Sequence, residues 1–405
     1  MMTAAPTLLT NIRIPGCAEV QRLWLDAAGI VQSIEPMSQT FDRLPPPQLR
    51  MIDLQGDWLS LGGIDLQING ALGLAFPEVQ ASDRNRLLAI CRRLWEQGVD
   101  AFTPTLVTSS IAQFRQAIEA IADFVAQPLP PRHAKILGLH LEGPCLAESK
   151  RGAHPQEHLQ PLTVEVLSEI CGDHLAQIRI VTLAPELDPT GEAIAWLRQQ
   201  GVIVSLGHSQ ATAEQAQVAF QQGATMVTHA FNAMPPLHHR QPGLLGAALT
   251  TDTVFAGLIA DGQHIDPIML KLLLRAGEGD RRLFLVSDAL APLGLPDGQY
   301  PWDERQITVT AGTCRLEDGT LAGTTLPLLA GVQNLVRWQV CEPETAIMLA
   351  TLAPLRALGV DWSDPRLLYL SRPVCQLLRW HQSDTGELTW QRLCENDELP
   401  TPTSI

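Results

Sequence analysis

The chain has no Cys-x-x-Cys pair and no closely spaced cysteine framework; its cysteines are scattered at Cys17, Cys91, Cys145, Cys171, Cys314, Cys341, Cys375 and Cys394. A chain of 405 residues is too large to need covalent staples, so these read as reduced thiols. Excess positive charge is also missing. With a net charge of −15 and a pI near 5.1, the protein lacks the basic face that nucleic acid or an anionic membrane would require. If its substrate is an anion, positive charge must instead be concentrated in the pocket. No uncharged apolar run approaches the ~18 residues of a membrane span. The opening MMTAAPTLLTNIRIPG has no basic region and too short an apolar stretch for a signal peptide. A soluble, cytoplasmic protein is expected. Internal repeats and low-complexity segments are absent, apart from the short Pro45 to Pro47 run.

What is present is apolar: 45% of the residues are hydrophobic, enough for one large core and a smaller satellite. From Gly62 onward, strand-like runs alternate with helical periodicity. The runs are GIDLQIN, DAFTPTLV, KILGLHLE, IRIVTLAPE, VIVSLGH, MVTHAFN, VFAGLIADG and RLFLVSDAL. Between them, Leu87, Leu88, Cys91, Leu94 and Trp95 form one helical stripe, and Ile111, Phe114, Ile118, Ile121 and Val125 another. Thr212 and Gln215 are spaced as a capping box, and Asp266 and Pro267 as N-cap and first helical residue. Eight βα units, with strands apolar on both faces, predict a (β/α)8 barrel of roughly 250 residues or more. An open, doubly wound sheet is the alternative reading. Short strands before residue 55 and a DTGEL turn in the tail predict a small discontinuous β-sandwich from residues 1–55 and 359–405, flanking a barrel over 56–358. Hairpins are expected from Tyr300 to Gly323, and a functional loop around KRGAHPQEH.

Polar residues stand where four of the strands run out: Glu142 in ILGLHLEGP, His208 in VIVSLGHS, His229 in TMVTHAFNAM and Asp288 in LFLVSDALAP. In a closed barrel, active sites are assembled at the carboxyl ends of the strands. Taken singly, each has a bland reading as a surface or capping residue. Together, two imidazoles and a carboxylate are a ligand set for a divalent ion that keeps one position open for water. Such an ion makes a hydroxide nucleophile available at neutral pH. Asp288 would then accept a proton and return it to a leaving amine. The expected class is a metal-dependent hydrolase.

The segments LHLEGP, KRGAH, SLGHSQAT, THAFNAMPP, QPGLLGA, IADGQH, VSDALAP and GTLAGTTL occur in an order that resembles the N-acetylglucosamine-6-phosphate deacetylases of the amidohydrolase superfamily. The resemblance runs from about Gly62 to Leu329. It implies hydrolysis of the acetamide of a phosphorylated amino sugar, one divalent metal (Zn²⁺ or Fe²⁺) on Glu142, His208 and His229, and Asp288 as catalytic acid/base. It also implies substrate held by Ala153 and His154, by Asn232 and Ala233, by Arg240, by His264, and by the backbone of Leu321, Ala322 and Gly323. In that family the arginine matching Arg240 serves the neighbouring subunit, which implies a homodimer. Arg240, His154 and His264 are then the expected local positive charge, and His264 or His154 the group facing the developing oxyanion.

Two departures from the wider pattern matter. Many amidohydrolases end the first strand in His-x-His and hold a second metal there, whereas IDLQING offers Gln67 and Asn69, whose neutral amides are poor ligands. One metal per site is expected. After Gly359 the usual Gly-rich turn and Ala-Asp-Leu strand are replaced by DWSDPRLLYLSRPVCQLLRW. Rival readings are an amidase for another amino-sugar phosphate such as N-acetylgalactosamine 6-phosphate, a dihydroorotase-like ring amidase, and a barrel retained only for binding. A fourth is a serine hydrolase with Ser209 at a G-x-S-x-A elbow, completed by Asp288 and His381.

Overall fold

A computed structural model describes residues 5–40, 48–360 and 362–393. The Pro45 to Pro47 run and the tail from Cys394 onward lie outside the described residues.

Eight parallel strands follow one another around a barrel: Gly63–Ile68, Val99–Val107, Leu139–Glu142, Ile178–Leu183, Ile203–Leu206, Met226–Val227, Phe255–Leu258 and Leu283–Leu285. Each pairs with the next in parallel register. The seam between the last and the first closes just beyond the strands. There the Asp288 N–H donates to the Gln67 carbonyl (2.9 Å) and the Asn69 N–H to the Ala289 carbonyl (2.7 Å). An open sheet has no such seam, so the doubly wound alternative is excluded. Helices Arg84–Glu96, Ile111–Val125, Val164–Cys171, Glu192–Gln199, Ala213–Gln222, Gly243–Leu249, Pro267–Ala276 and Leu328–Arg337 return the chain after each strand. Thr212 and Gln215 do form a capping box, and Asp266 caps the helix that opens with Pro267. One stripe residue differs: Val125 is exposed at the end of its helix, and Phe124, three residues after Ile121, is buried instead.

Inside the barrel, a polar layer lies beneath the mouth. His140 Nδ1–H donates to the Leu66 carbonyl (3.1 Å), leaving Nε2 to accept from the Thr182 hydroxyl (2.7 Å). Thr182, Thr228 and Ser205 continue the chain at 2.6 Å per link. All are buried, and each satisfies its neighbour, as buried polar groups must.

The two ends of the chain meet on the flank. Thr7–Ile12, Gln21–Leu25, Val31–Pro36 and Arg50–Asp53 form one sheet, while the tail hairpin Leu378–Gln382 and Leu388–Arg392 pairs with Trp58–Ser60 in another. They share an apolar interior that includes Ile12, Leu23, Leu59, Tyr369 and Leu377. Between the eighth strand and its helix lies a four-stranded antiparallel sheet: Gly298–Trp302, Arg305–Thr310, Thr313–Leu316 and Leu321–Thr324. Its first hairpin tip, Asp303–Glu304, reaches back over the barrel mouth.

Candidate active site

The functional side chains sit at strand ends whose backbone has turned out of the sheet. His208 (φ 49°), His229 (φ 27°) and Asp288 (φ 48°) all adopt the left-handed region that residues with a Cβ rarely enter. Such strain clusters at sites where geometry outweighs local comfort. The turn before His208 requires Gly207, because a Cβ there would come within 2.8 Å of Thr228 Cβ.

Glu142, His208 and His229 converge. His208 Nδ1–H donates to the Lys150 carbonyl (2.9 Å), so its Nε2 presents a lone pair. That atom lies 3.0 Å from His229 Nε2 and 3.2 Å from Glu142 Oε1, and His229 Nε2 is 3.0 Å from the same oxygen. Three ligands of a tetrahedral zinc-sized ion stand roughly 3.3–3.6 Å apart, given metal–ligand distances of about 2.0–2.2 Å. The donor types and the nearly equilateral triangle fit such an ion, and this is the single cluster of that kind among the described residues. Burial works to raise the Glu142 carboxyl, but the two histidines bonded to it hold it well below its ordinary value. Burial likewise opposes charge on His229, and Glu142 raises its pKa in spite of that.

Asp288 stands beside the triangle and is itself held by amides. Asn69 Nδ2 donates to its Oδ1 (2.7 Å), and Gln67 Nε2 bridges the same oxygen (3.3 Å) and Glu142 Oε1 (3.0 Å). The two amides therefore stand as hydrogen-bond donors to both carboxylates where a His-x-His would offer ligands. Burial, reinforced by the Glu142 charge, pushes Asp288 up to about 6.

These groups open on a cavity of about 220 Å³, whose lining includes Ala153, His154, Asn232, Ala233, His264, Leu321 and Ala322. Gly323 does not line it; it packs behind, where a Cβ would strike the Asp288 carbonyl oxygen at 2.8 Å. Arg240 also lies off this pocket, exposed in a loop, with its Nη1–H donating to His239 Nε2 at 3.0 Å.

The expected charge of His154 is corrected. Its Nδ1 accepts from the Thr108 N–H (3.3 Å) and lies 2.8 Å from the Thr108 hydroxyl, so the ring proton sits on Nε2. Burial, with His208 adjacent, drives the ring down to about 3. His154 is a neutral donor. His264 is oriented by Asp261, 2.7 Å from its Nδ1, and both side chains are almost fully enclosed.

The serine-hydrolase reading fails on geometry. The Ser209 hydroxyl donates to Glu186 (2.7 Å), and its oxygen accepts from the Ala211 N–H. His381 is bound to Asp57 in the flanking sheet. Residues not anticipated from the sequence are Asp261, Val107, Leu290 and Trp302. The i,i+3 spacing of Asp261 and His264 was the available signal for the first; the others are apolar residues with no chemical signature.

Comparison with known proteins fits this geometry. The chain is 36% identical to the human N-acetylglucosamine-6-phosphate deacetylase over 398 residues, covering 94% of this chain and 95% of that one. The chain belongs to this family. An N-acetylgalactosamine-6-phosphate deacetylase from Escherichia coli O157:H7 is 34% identical, over 84% of this chain and 87% of its own. Among solved structures, a mutant form of the Mycobacterium smegmatis N-acetyl-D-glucosamine-6-phosphate deacetylase, in complex with N-acetyl-D-glucosamine 6-phosphate, superposes with a TM-score of 0.80 at 25% identity. That match covers 96% of this chain and 97% of the other. No family model matches. No helix among the described residues is long and apolar enough to cross a membrane.

Proposed function

We propose that the protein hydrolyses the acetamide of N-acetyl-D-glucosamine 6-phosphate, releasing acetate and D-glucosamine 6-phosphate. The observation that carries this reading is the convergence of Glu142, His208 and His229 beside Asp288 in one buried pocket, in a member of this family. Those three residues would hold one divalent ion, which supplies a hydroxide-like nucleophile at neutral pH and polarises the acetamide carbonyl. Asp288 receives the proton given up as the C–O bond forms and passes it to the nitrogen as the C–N bond breaks. Gln67 and Asn69 fix its carboxylate for both transfers. His154, donating from Nε2, faces the carbonyl oxygen as it gains charge; a fixed donor in a dry pocket acts there without reorganising. His264, whose Nδ1–H goes to Asp261, presents its Nε2 lone pair to a sugar hydroxyl. Asn232, Ala233, Ala153 and the Leu321 to Gly323 backbone hold the sugar. With His154 neutral, the phosphate needs its cation from elsewhere. Arg240, exposed and off its own pocket, supplies it to the neighbouring subunit of a homodimer.

The test is acetate release from N-acetylglucosamine 6-phosphate, from its galacto epimer and from the unphosphorylated sugar. The expected order of kcat/KM is gluco phosphate first, with the sugar lacking phosphate weakest. A preference for the galacto epimer would move the chain to the specificity named for its E. coli O157:H7 relative. No deacetylation of any of the three would refute the reading.

A further inference from the structure

Trp302 has no role in the chemistry above, yet it forms part of the pocket wall. It ends the strand Gly298–Trp302 at the hairpin tip of the inserted sheet and lines the catalytic cavity together with Leu290, Leu321 and Ala322. The same residue borders a second, open groove of about 710 Å³ outside, shared with Arg151, Pro155 and Arg305. It therefore stands on the partition between the two.

Its position is fixed by Arg305, the first residue of the return strand. The guanidinium lies over the indole, 5.1 Å from the ring centroid, pairs with Asp303, and donates to the Ala153 carbonyl at 2.8 Å. Arg305 borders the outer groove but not the catalytic cavity. The cation thus covers the outer face of the indole and leaves the inner face to the pocket. One residue thereby ties the hairpin tip, the aromatic wall and the loop carrying Ala153 and His154 into a single unit.

The occupant of that face follows from depth. The bond to be broken must lie at the floor, against Glu142, His208, His229 and Asp288. What reaches a wall shared with the outer groove is the part of the substrate nearer the mouth. A pyranose ring has hydroxyls at its edge and axial C–H groups on its faces, and a flat aromatic surface matches such a face while the polar lining takes the edge. Resting on the amino-sugar reading given above, we propose that Trp302 is a specificity-determining residue whose indole stacks on the sugar ring, with Arg305 as its positioning residue.

The experiment compares the Trp302→Phe, Trp302→Leu and Trp302→Ala variants of the metal-loaded enzyme for kcat and KM on N-acetylglucosamine 6-phosphate. It also measures binding of the product, glucosamine 6-phosphate, to the metal-stripped proteins by calorimetry. Stacking predicts that Leu and Ala raise KM, and weaken product binding, by about tenfold or more, with kcat within about threefold. Phe, which keeps a flat face, should stay within about threefold on every reading, and Arg305→Met should fall between Phe and Ala. Leu performing as well as Phe would mean that the wall only fills space, and would overturn the proposal. Unchanged KM in Trp302→Ala would overturn it equally. Wild-type protein that neither hydrolyses nor binds these sugar phosphates would instead sink the functional reading itself.

Discussion

Asp288 carries the sharpest expectation at the scale of single residues. It is hydrogen-bonded to two amides and lies outside the donor triangle, so Asp288→Asn should leave metal content unchanged while kcat falls by roughly 10²- to 10⁴-fold, the range for a proton-transfer group. Asn also tolerates the left-handed backbone at this position, which keeps the comparison clean. Metal analysis alongside turnover checks it. Asp261→Asn is subtler. An amide can still accept from the backbone N–H groups of Gln263 and His264, but it cannot both do so and accept the His264 Nδ1–H that now goes to the carboxylate. The ring should lose its fixed tautomer, and KM should rise by about tenfold with kcat little changed, the scale of one hydrogen bond to substrate. A fall in kcat with KM unchanged would instead assign His264 to the transition state. Among single residues, those with chemical character were legible from the sequence: Glu142, His208, His229 and Asp288 announced themselves at strand ends. Trp302 and Leu290 did not, because an apolar side chain in a pocket looks like any core residue until the chain is folded.

Elements were easier to foresee than their contacts. Eight apolar runs, a capping box and a Pro-started helix are local signals, and each became the element expected. The helix Ala213–Gln222 depends on the reciprocal Thr212 and Gln215 bonds at its start. Thr212→Ala should cost about 1 kcal/mol in chemical denaturation without altering kcat, because Thr212 does not line the pocket. Harder to foresee was the partition of the hairpin region. Its strands were readable between Tyr300 and Gly323, but that the first tip would reach the barrel mouth is fixed by long-range bonds such as Arg305 to Ala153, 152 residues apart. The backbone reversals at His208, His229 and Asp288 were equally invisible: His and Asp enter positive φ more often than most residues with a Cβ, but few of them do, so residue type does not mark the position.

At the scale of the whole molecule, the barrel buries a carboxyl whose charge changes with pH. Asp65 lies wholly inside, its Oδ1 accepting from the backbone of Gln67 and Ser287, and burial pushes it up to about 7. A carboxyl with a folded pKa above its unfolded one binds more protons when folded. Its contribution is therefore intact below about pH 4 and is lost as pH rises toward 7. Asp65→Asn should remove that decline, gaining on the order of 4 kcal/mol relative to wild type above pH 7 and little at pH 4. Unfolding free energies of the two proteins across this window measure it. The proposed exchange of Arg240 between subunits belongs to this scale too. Mixing and refolding inactive Arg240→Ala with inactive Asp288→Asn should restore activity, because one site in each mixed dimer would receive an intact arginine and keep an intact aspartate. No restoration would place Arg240 at its own site or nowhere near one.

Deacetylation driven by one metal ion per chain, held on Glu142, His208 and His229, is tested most directly by titrating zinc into metal-stripped protein while acetate release from N-acetylglucosamine 6-phosphate is followed. The expected result is no turnover at zero metal and a linear rise that levels off at one equivalent per chain. Activity that survives stripping, or a rise that continues to two equivalents, would contradict it.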